Sequence, residues 1–183
     1  MEIYLIRHTT PNIEKNICYG QLDIDVTNSF ENEASKITTA VSSETGTLVY
    51  SSPLKRCIKL ASKFSQNIIT DKRLMELNFG DWENHNWDAI PKTELDVWMN
   101  DFVNVSIPNG EAYTDLFKRA TEFFYEITSN NNSKKIIITT HGGVIRSIVA
   151  NINNIPLSKS FDFKIEYGQI IKIVKQNNSY KIL

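Results

Sequence analysis

His8 and His141 are where a chemical reading of this chain begins. Arg7 precedes His8, and Gly142 and Gly143 follow His141, each group standing at the end of a short apolar run. Arginine presents a rigid fork of donors that matches phosphate oxygens, while a histidine can donate hydrogen bonds to them or attack phosphorus. Paired glycines permit close backbone approach, and amides opening a following helix add anion stabilisation. Arg56, in SSPLKRC, is a further cation near the first turn of an expected helix, where Ser52 could cap the helix or donate to phosphate. Lys55 should project from a different face than Arg56. The set suits a tetrahedral dianion.

Cleaving a phosphate ester also requires an acid, because an alkoxide leaves poorly until it is protonated. Glu76, in LMELNFGDWENHNW, is the preferred candidate, with Asp81 and Glu83 as rivals. Asp81 beside a glycine could instead fasten a turn, and Glu83 could face solvent. His8, His141 and a carboxylate could also form a metal shell. However, the sequence has no HExxH, no paired-aspartate metallophosphatase motif and no Walker loop, and the arginines would repel a cation. The expectation is chemistry without metal or other cofactor.

The elements that must position these residues follow from the apolar patterning. Residues 1–7, 47–52 and 134–140 are short apolar runs of the kind found in strands buried on both faces of a parallel sheet. Their polar ends, RHTTP, SSPLKR and HGGVIR, would converge if the strands lie side by side, since ligands gather beyond the carboxyl ends of such strands. Helical spacing is expected over residues 29–43, from near Pro53 with that proline in the first turn, over 111–127, and after Gly142. The tail from Phe161 reads as strand, turn at Gly168, strand and final strand, and the Asn-rich patches at 130–132 and 151–154 read as helix-end loops. Residues 84–108, with Trp87, Trp98 and Phe102, read as a small lid-like excursion from one domain spanning 1–183.

Composition narrows the function classes. With 183 residues, 41% hydrophobic and 22% charged, the chain suits one soluble globular domain. A formal net charge of -1 gives no general attraction to nucleic acid or anionic membrane, so any anion site must be local. Cys18 and Cys57 make neither a disulfide framework nor a metal cluster. No apolar stretch approaches the roughly 18 residues of a membrane span and no basic region precedes the first apolar run, so the expected location is cytoplasmic. A homodimer is left open.

Taken together, LIRHT at 5–9, YGQLD at 19–23, SSPLKR at 51–56, ELNFGDWE at 76–83, PNGEAY at 108–113 and THGGVIR at 140–146 resemble the histidine phosphatase superfamily, whose blocks occur in this order. The resemblance implies an α/β fold of the phosphoglycerate mutase-like kind, a three-layer α/β/α sandwich with a mostly parallel central sheet. It implies that His8 accepts the phosphoryl group, that Arg7, Arg56 and His141 bind phosphate, and that Glu76 protonates the leaving group and then assists water. Members commonly carry RHGET where this chain has RHTTP, and often an asparagine where Glu14 stands. The compact length and the ELNFGDWE and PNGEAY segments look like the α-ribazole phosphatase group. That implies removal of the 5′-phosphate of α-ribazole 5′-phosphate or of adenosylcobalamin 5′-phosphate, a small phosphorylated metabolite. A broad phosphatase or a mutase-like phosphoryl transferase remains the alternative. Tyr19, Gln21, Trp82 and Gly142 are further candidate contacts; Tyr19 and Trp82, like Trp87 and Trp98, could offer a base or sugar an apolar surface or simply fill the core.

Overall fold

Ile136, Ile137 and Ile138 are consecutive and all fully buried. Successive side chains of a strand point to opposite faces, so the sheet holding them is covered on both sides. The computed structural model describes residues 1–129, 133–177 and 179–183. Its elements run β1 (Glu2–Arg7), α1 (Phe30–Ala40), β2 (Leu48–Ser51), α2 (Lys55–Ala61), β3 (Ile68–Thr70), α3 (Lys92–Asn100), α4 (Tyr113–Ser129), β4 (Lys135–Thr140), α5 (Gly142–Ile152), β5 (Ile170–Gln176) and β6 (Ser179–Ile182).

The strands form one sheet in the order β3-β2-β4-β1-β5-β6. β1, β2, β3 and β4 pair in parallel, while β5 and β6 add antiparallel strands at one side. Ile3, Leu5, Ile136 and Ile138 face α4 and α5, packing with Leu116, Phe123, Phe124, Val144 and Ile148. Ile6, Val49 and Ile137 face the other way, onto Ala34 and Ile37 of α1 and Leu60 and Ala61 of α2. The result is the α/β sandwich of three layers, with the mostly parallel sheet between helices. Truncating a side chain such as Ile137 to alanine would cost about 2–5 kcal/mol, because such a close-packed layer collapses only partly into the gap.

Register does the positioning. Arg7 lies opposite Thr140, and Ser51 opposite Thr139, so β1, β2 and β4 end at one level. The next residues, His8, Ser52 and His141, therefore stand in a row. The ladder extends one step further, with the His8 and Ser52 amides donating to the Thr140 and Thr139 carbonyls, each at 3.0 Å.

Several expectations need correction. Pro53 is not in the first turn of α2: Leu54 is its N-cap, in extended conformation, and the helix begins at Lys55. Residues 161–166 form no strand; Gly168 makes the turn that enters β5, and this loop's carbonyls accept from arginine side chains instead of a neighbouring strand. The excursion at 84–108 contains the helix α3, and β3 was not anticipated. Of the Asn-rich patches, 130–132 lies outside the described residues, and at 151–154 the helix continues through Ile152 before turning. Among the described residues, no helix is long and apolar enough to cross a membrane.

Candidate active site

A cavity of about 190 Å³ opens above the row of strand ends, lined on its floor by Arg7, His8, Arg56, Glu76, His141 and Gly143. His8 is almost fully buried, and its Nδ1 lies 2.7 Å from the Thr9 carbonyl oxygen. A carbonyl can only accept, so Nδ1 carries the proton and Nε2 keeps its lone pair. That lone pair accepts from Arg56 Nε at 3.3 Å. Burial first, and the Arg56 charge second, hold the His8 imidazole well below its ordinary value of 6.5, leaving it neutral.

Arg56 is completely buried, where an unpaired charge would be costly. Its fork is satisfied by backbone: Nη1 donates to the Leu22 carbonyl at 2.8 Å and Nη2 to the Gly20 carbonyl at 2.6 Å. The YGQLD segment thus aims Arg56. Gly20 must be glycine for this, since a Cβ there would sit 1.9 Å from the Leu77 carbonyl oxygen. Glu83 staples the same loop, accepting from the Gln21 and Leu22 amides at 2.7 and 2.5 Å and from the Phe79 amide. Lys55, by contrast, points outward to Asp23.

His141 meets His8 edge to face, with ring centroids 5.1 Å apart. Its Nε2 lies 2.8 Å from Ser52 Oγ, and its Nδ1 lies 3.4 Å from Arg56 Nη2, which can only donate. The neutral tautomer consistent with both carries its proton on Nε2. Burial is the main cause that depresses this imidazole too, followed by Arg56. Cys57 packs under the ring, its Sγ 3.5 Å from Nε2, and burial pushes its thiol up to about 12, so it is no thiolate nucleophile. Arg7 donates from Nη1 to the Ile165 carbonyl at 2.6 Å, while its buried Nε has no partner among the described residues.

Glu76 completes the floor. Its Oε1 accepts from the Leu77 amide at 3.0 Å and its Oε2 from the Gly143 amide at 3.1 Å. A Cβ on Gly143 would lie 2.3 Å from Glu76 Oε1, so glycine at this first turn of α5 makes room for the carboxylate. Arg119 was missed in the sequence. It ties down the Glu76 segment by donating to the carbonyls of Arg73, Met75 and Glu76, and it pairs with Glu111 of the PNGEAY block. The rivals of Glu76 are occupied elsewhere: Asp81 accepts from Asn109, and Glu83 is the staple described above.

The outer wall is largely apolar: Ile17, Tyr19, Leu77, Phe79, Trp87, Tyr113 and Phe161, with Arg146 among them. Tyr19 is therefore brought to the cavity. Trp82 is not; it is 3% exposed in the core, with its indole N–H donating to Glu94, and Trp87 takes the wall position. Gln21 lies behind the site, donating to the Glu76 carbonyl at 3.0 Å. Gly142 does not line the cavity; a Cβ there would meet Arg146 Nη1 at 2.9 Å and Arg7 Cζ at 3.5 Å. Thr10 turns away to Glu33 of α1, and Thr9 is buried. Phe161 carried no signal that singled it out, and Arg146, which closes the HGGVIR segment, was given no role of its own. Arg146 follows Gly142 by one helical turn, which in retrospect puts both at the same end of α5.

Comparison with known proteins gives the family and the fold. A model of the histidine phosphatase superfamily (branch 1) matches residues 3–183. A Hydrogenobacter thermophilus relative, provisionally named phosphoserine phosphatase 2, is 27% identical over 179 residues, covering 93% of this chain and 88% of its own. An Escherichia coli relative, provisionally named phosphoglycerate mutase GpmB, is 30% identical over 166 residues, covering 85% of this chain and 76% of its own. The crystal structure of an α-ribazole phosphatase from Shigella flexneri superposes with a TM-score of 0.88 at 21% identity, covering 100% of this chain and 95% of that one. At that identity the structural likeness speaks for the fold.

Proposed function

The chain belongs to the histidine phosphatase superfamily (branch 1), and from that premise we propose that it hydrolyses small phosphomonoesters through a phosphohistidine on His8. The observation that carries this is the proton-free Nε2 of His8, fixed by the Nδ1 contact to the Thr9 carbonyl, on a residue that lines one cavity with Arg7, Arg56, His141 and Glu76. In the first step the Nε2 lone pair leaves the Arg56 N–H and attacks phosphorus, the bond to the ester oxygen breaks, and protonated Glu76 gives its proton to the departing alcohol. Arg7 and Arg56 balance the charge on the equatorial oxygens, and neutral His141 can add a hydrogen bond from Nε2–H if it turns from Ser52. In the second step ionised Glu76 takes a proton from water, the oxygen attacks phosphorus, and the N–P bond breaks to release orthophosphate.

For the substrate, we propose α-ribazole 5′-phosphate or the 5′-phosphate of adenosylcobalamin. Support comes from the aromatic outer wall, where Tyr19, Phe79, Trp87 and Phe161 offer faces to a flat heteroaromatic base. Residues 84–108 act in this reading as a cover for the leaving-group end of one domain, contributing Trp87 and bridging Asn86 to Ile17 of the wall. A second reading rests on Arg146, a wall cation with no ion pair to a carboxylate among the described residues, which suits an acidic ester such as phosphoserine.

The deciding experiment compares kcat/KM for α-ribazole 5′-phosphate, phosphoserine and a simple aryl phosphate. A preference of about a hundredfold for the ribazole ester, roughly 3 kcal/mol in the transition state, is expected. A like preference for phosphoserine would transfer the assignment to the acidic ester. Equal turnover of all would mean a broad phosphatase.

A further inference from the structure

Tyr19 and Tyr167 come from distant parts of the chain, yet their hydroxyls meet at 2.5 Å. Each ring also lies against a cation of the cradle. Arg7 Cζ sits 4.0 Å from the Tyr167 ring centroid, and Arg56 Cζ sits 5.6 Å from that of Tyr19. The Tyr167 ring is at the same time 5.5 Å from the His8 ring. Its loop is stitched to the nucleophile's strand. The Gly168 amide donates to the Arg7 and His8 carbonyls, the Arg7 amide donates to the Gln169 carbonyl, and Arg7 Nη1 donates to Ile165. Tyr19 is held in turn through Arg56, whose Nη2 binds the carbonyl of the next residue, Gly20.

We propose that Tyr167, braced by the Tyr19 hydroxyl, is a positioning residue that fixes the plane of the Arg7 guanidinium beside His8 for the incoming phosphoryl group. Among the described residues Arg7 has one side-chain hydrogen bond, to Ile165, and none at Nε, so hydrogen bonding there leaves its plane free to turn about that contact. A tyrosine face at 4.0 Å supplies the missing restraint and an attraction that strengthens where water is excluded. The brace keeps Tyr167, which is 38% exposed, from swinging into solvent. The inference rests on the phosphohistidine reading but concerns only the phosphate half of the site, so it holds for any leaving group.

The test uses Tyr167→Leu, Tyr167→Phe, Tyr19→Phe and the double phenylalanine variant. Each is assayed for kcat and KM on aryl and ribazole phosphates and for inhibition by inorganic phosphate. Tyr167→Leu is expected to raise the phosphate inhibition constant about tenfold and to lower kcat/KM by one common factor for both esters. Tyr167→Phe keeps the ring and should recover all but about threefold. Tyr19→Phe should match it, and the double variant should lose no more than either single one, because both remove the same bridge. An unchanged phosphate constant in Tyr167→Leu, a loss confined to one ester, or additive losses in the double variant would overturn the proposal. If thermal unfolding shows Tyr167→Leu to be misfolded, the phenylalanine cycle decides. Failure of the phosphohistidine reading looks different: the wild-type enzyme would ignore phosphate and stay active after His8→Ala.

Discussion

The inner and outer halves of the cavity are built on different principles. On the inner floor, His8, Arg56 and Glu76 sit on or beside strand ends and a helix start, and each is fixed by main-chain partners: Thr9, Gly20 and Leu22, and Leu77 and Gly143. On the outer wall the side chains, drawn from loops and from α4 and α5, meet through ring contacts, such as Phe79 on Trp87 at 5.5 Å and Arg146 over Phe161 at 4.8 Å. Main-chain hydrogen bonds fix direction as well as distance, whereas apolar contacts tolerate sliding. In the proposed function, the floor would carry the reaction and the wall would choose the leaving group.

Substitutions that respect this division should separate cleanly. The largest effect belongs to His8→Ala, which is expected to lower kcat about 10⁴-fold or more on every ester, as removal of a nucleophile does. Retained turnover, measured with a sensitive phosphate-release assay, would dissolve the distinction altogether. Glu76→Gln should cost about 10²–10⁴ in kcat on an alkyl ester but much less on a nitrophenyl ester, whose leaving group needs no proton. Equal losses on the two esters would mean that Glu76 does not act as the acid.

Trp87→Ala tests the wall. It should lower kcat/KM for the preferred aromatic substrate about tenfold, while a compact aryl phosphate changes little. A matching loss on both would tie the wall to the chemistry. The smallest effect is on pH. Because folding depresses the His8 imidazole, the acidic limb of kcat/KM should lie below pH 6.5, and Trp87→Ala should leave it in place. The same depression adds stability that is fully present above pH 6.5 and is lost as pH falls, so the unfolding midpoint should drop on acidification. A limb at or above 6.5 would contradict the buried, neutral histidine.

Much of the floor is legible in the sequence. The runs around Leu5, Val49 and Ile137 are apolar at consecutive positions, the signature of strands covered on both faces, and polar residues at their ends converge for topological reasons. Arg56 and Lys55 were separable because adjacent helical positions diverge in direction. The tail was misread because Phe161, Phe163 and Ile165 alternate as in a strand, whereas the loop spends its carbonyls on Arg7 and Arg146 and Phe161 on the cavity.

By itself, the sequence determined the family and the α/β fold, and it offered His8 as the candidate nucleophile, since motif blocks in a fixed order and apolar runs ending in polar segments are local features of the chain. Only the tertiary structure decided which tryptophan lines the cavity, how Arg119 and Glu83 brace the site, and that Tyr19 reaches Tyr167 from 148 residues away. Aromatic and charged side chains are equally at home in a core, in a brace or on a wall. Which role each takes is fixed by packing between segments far apart in the chain, and no local pattern encodes that packing.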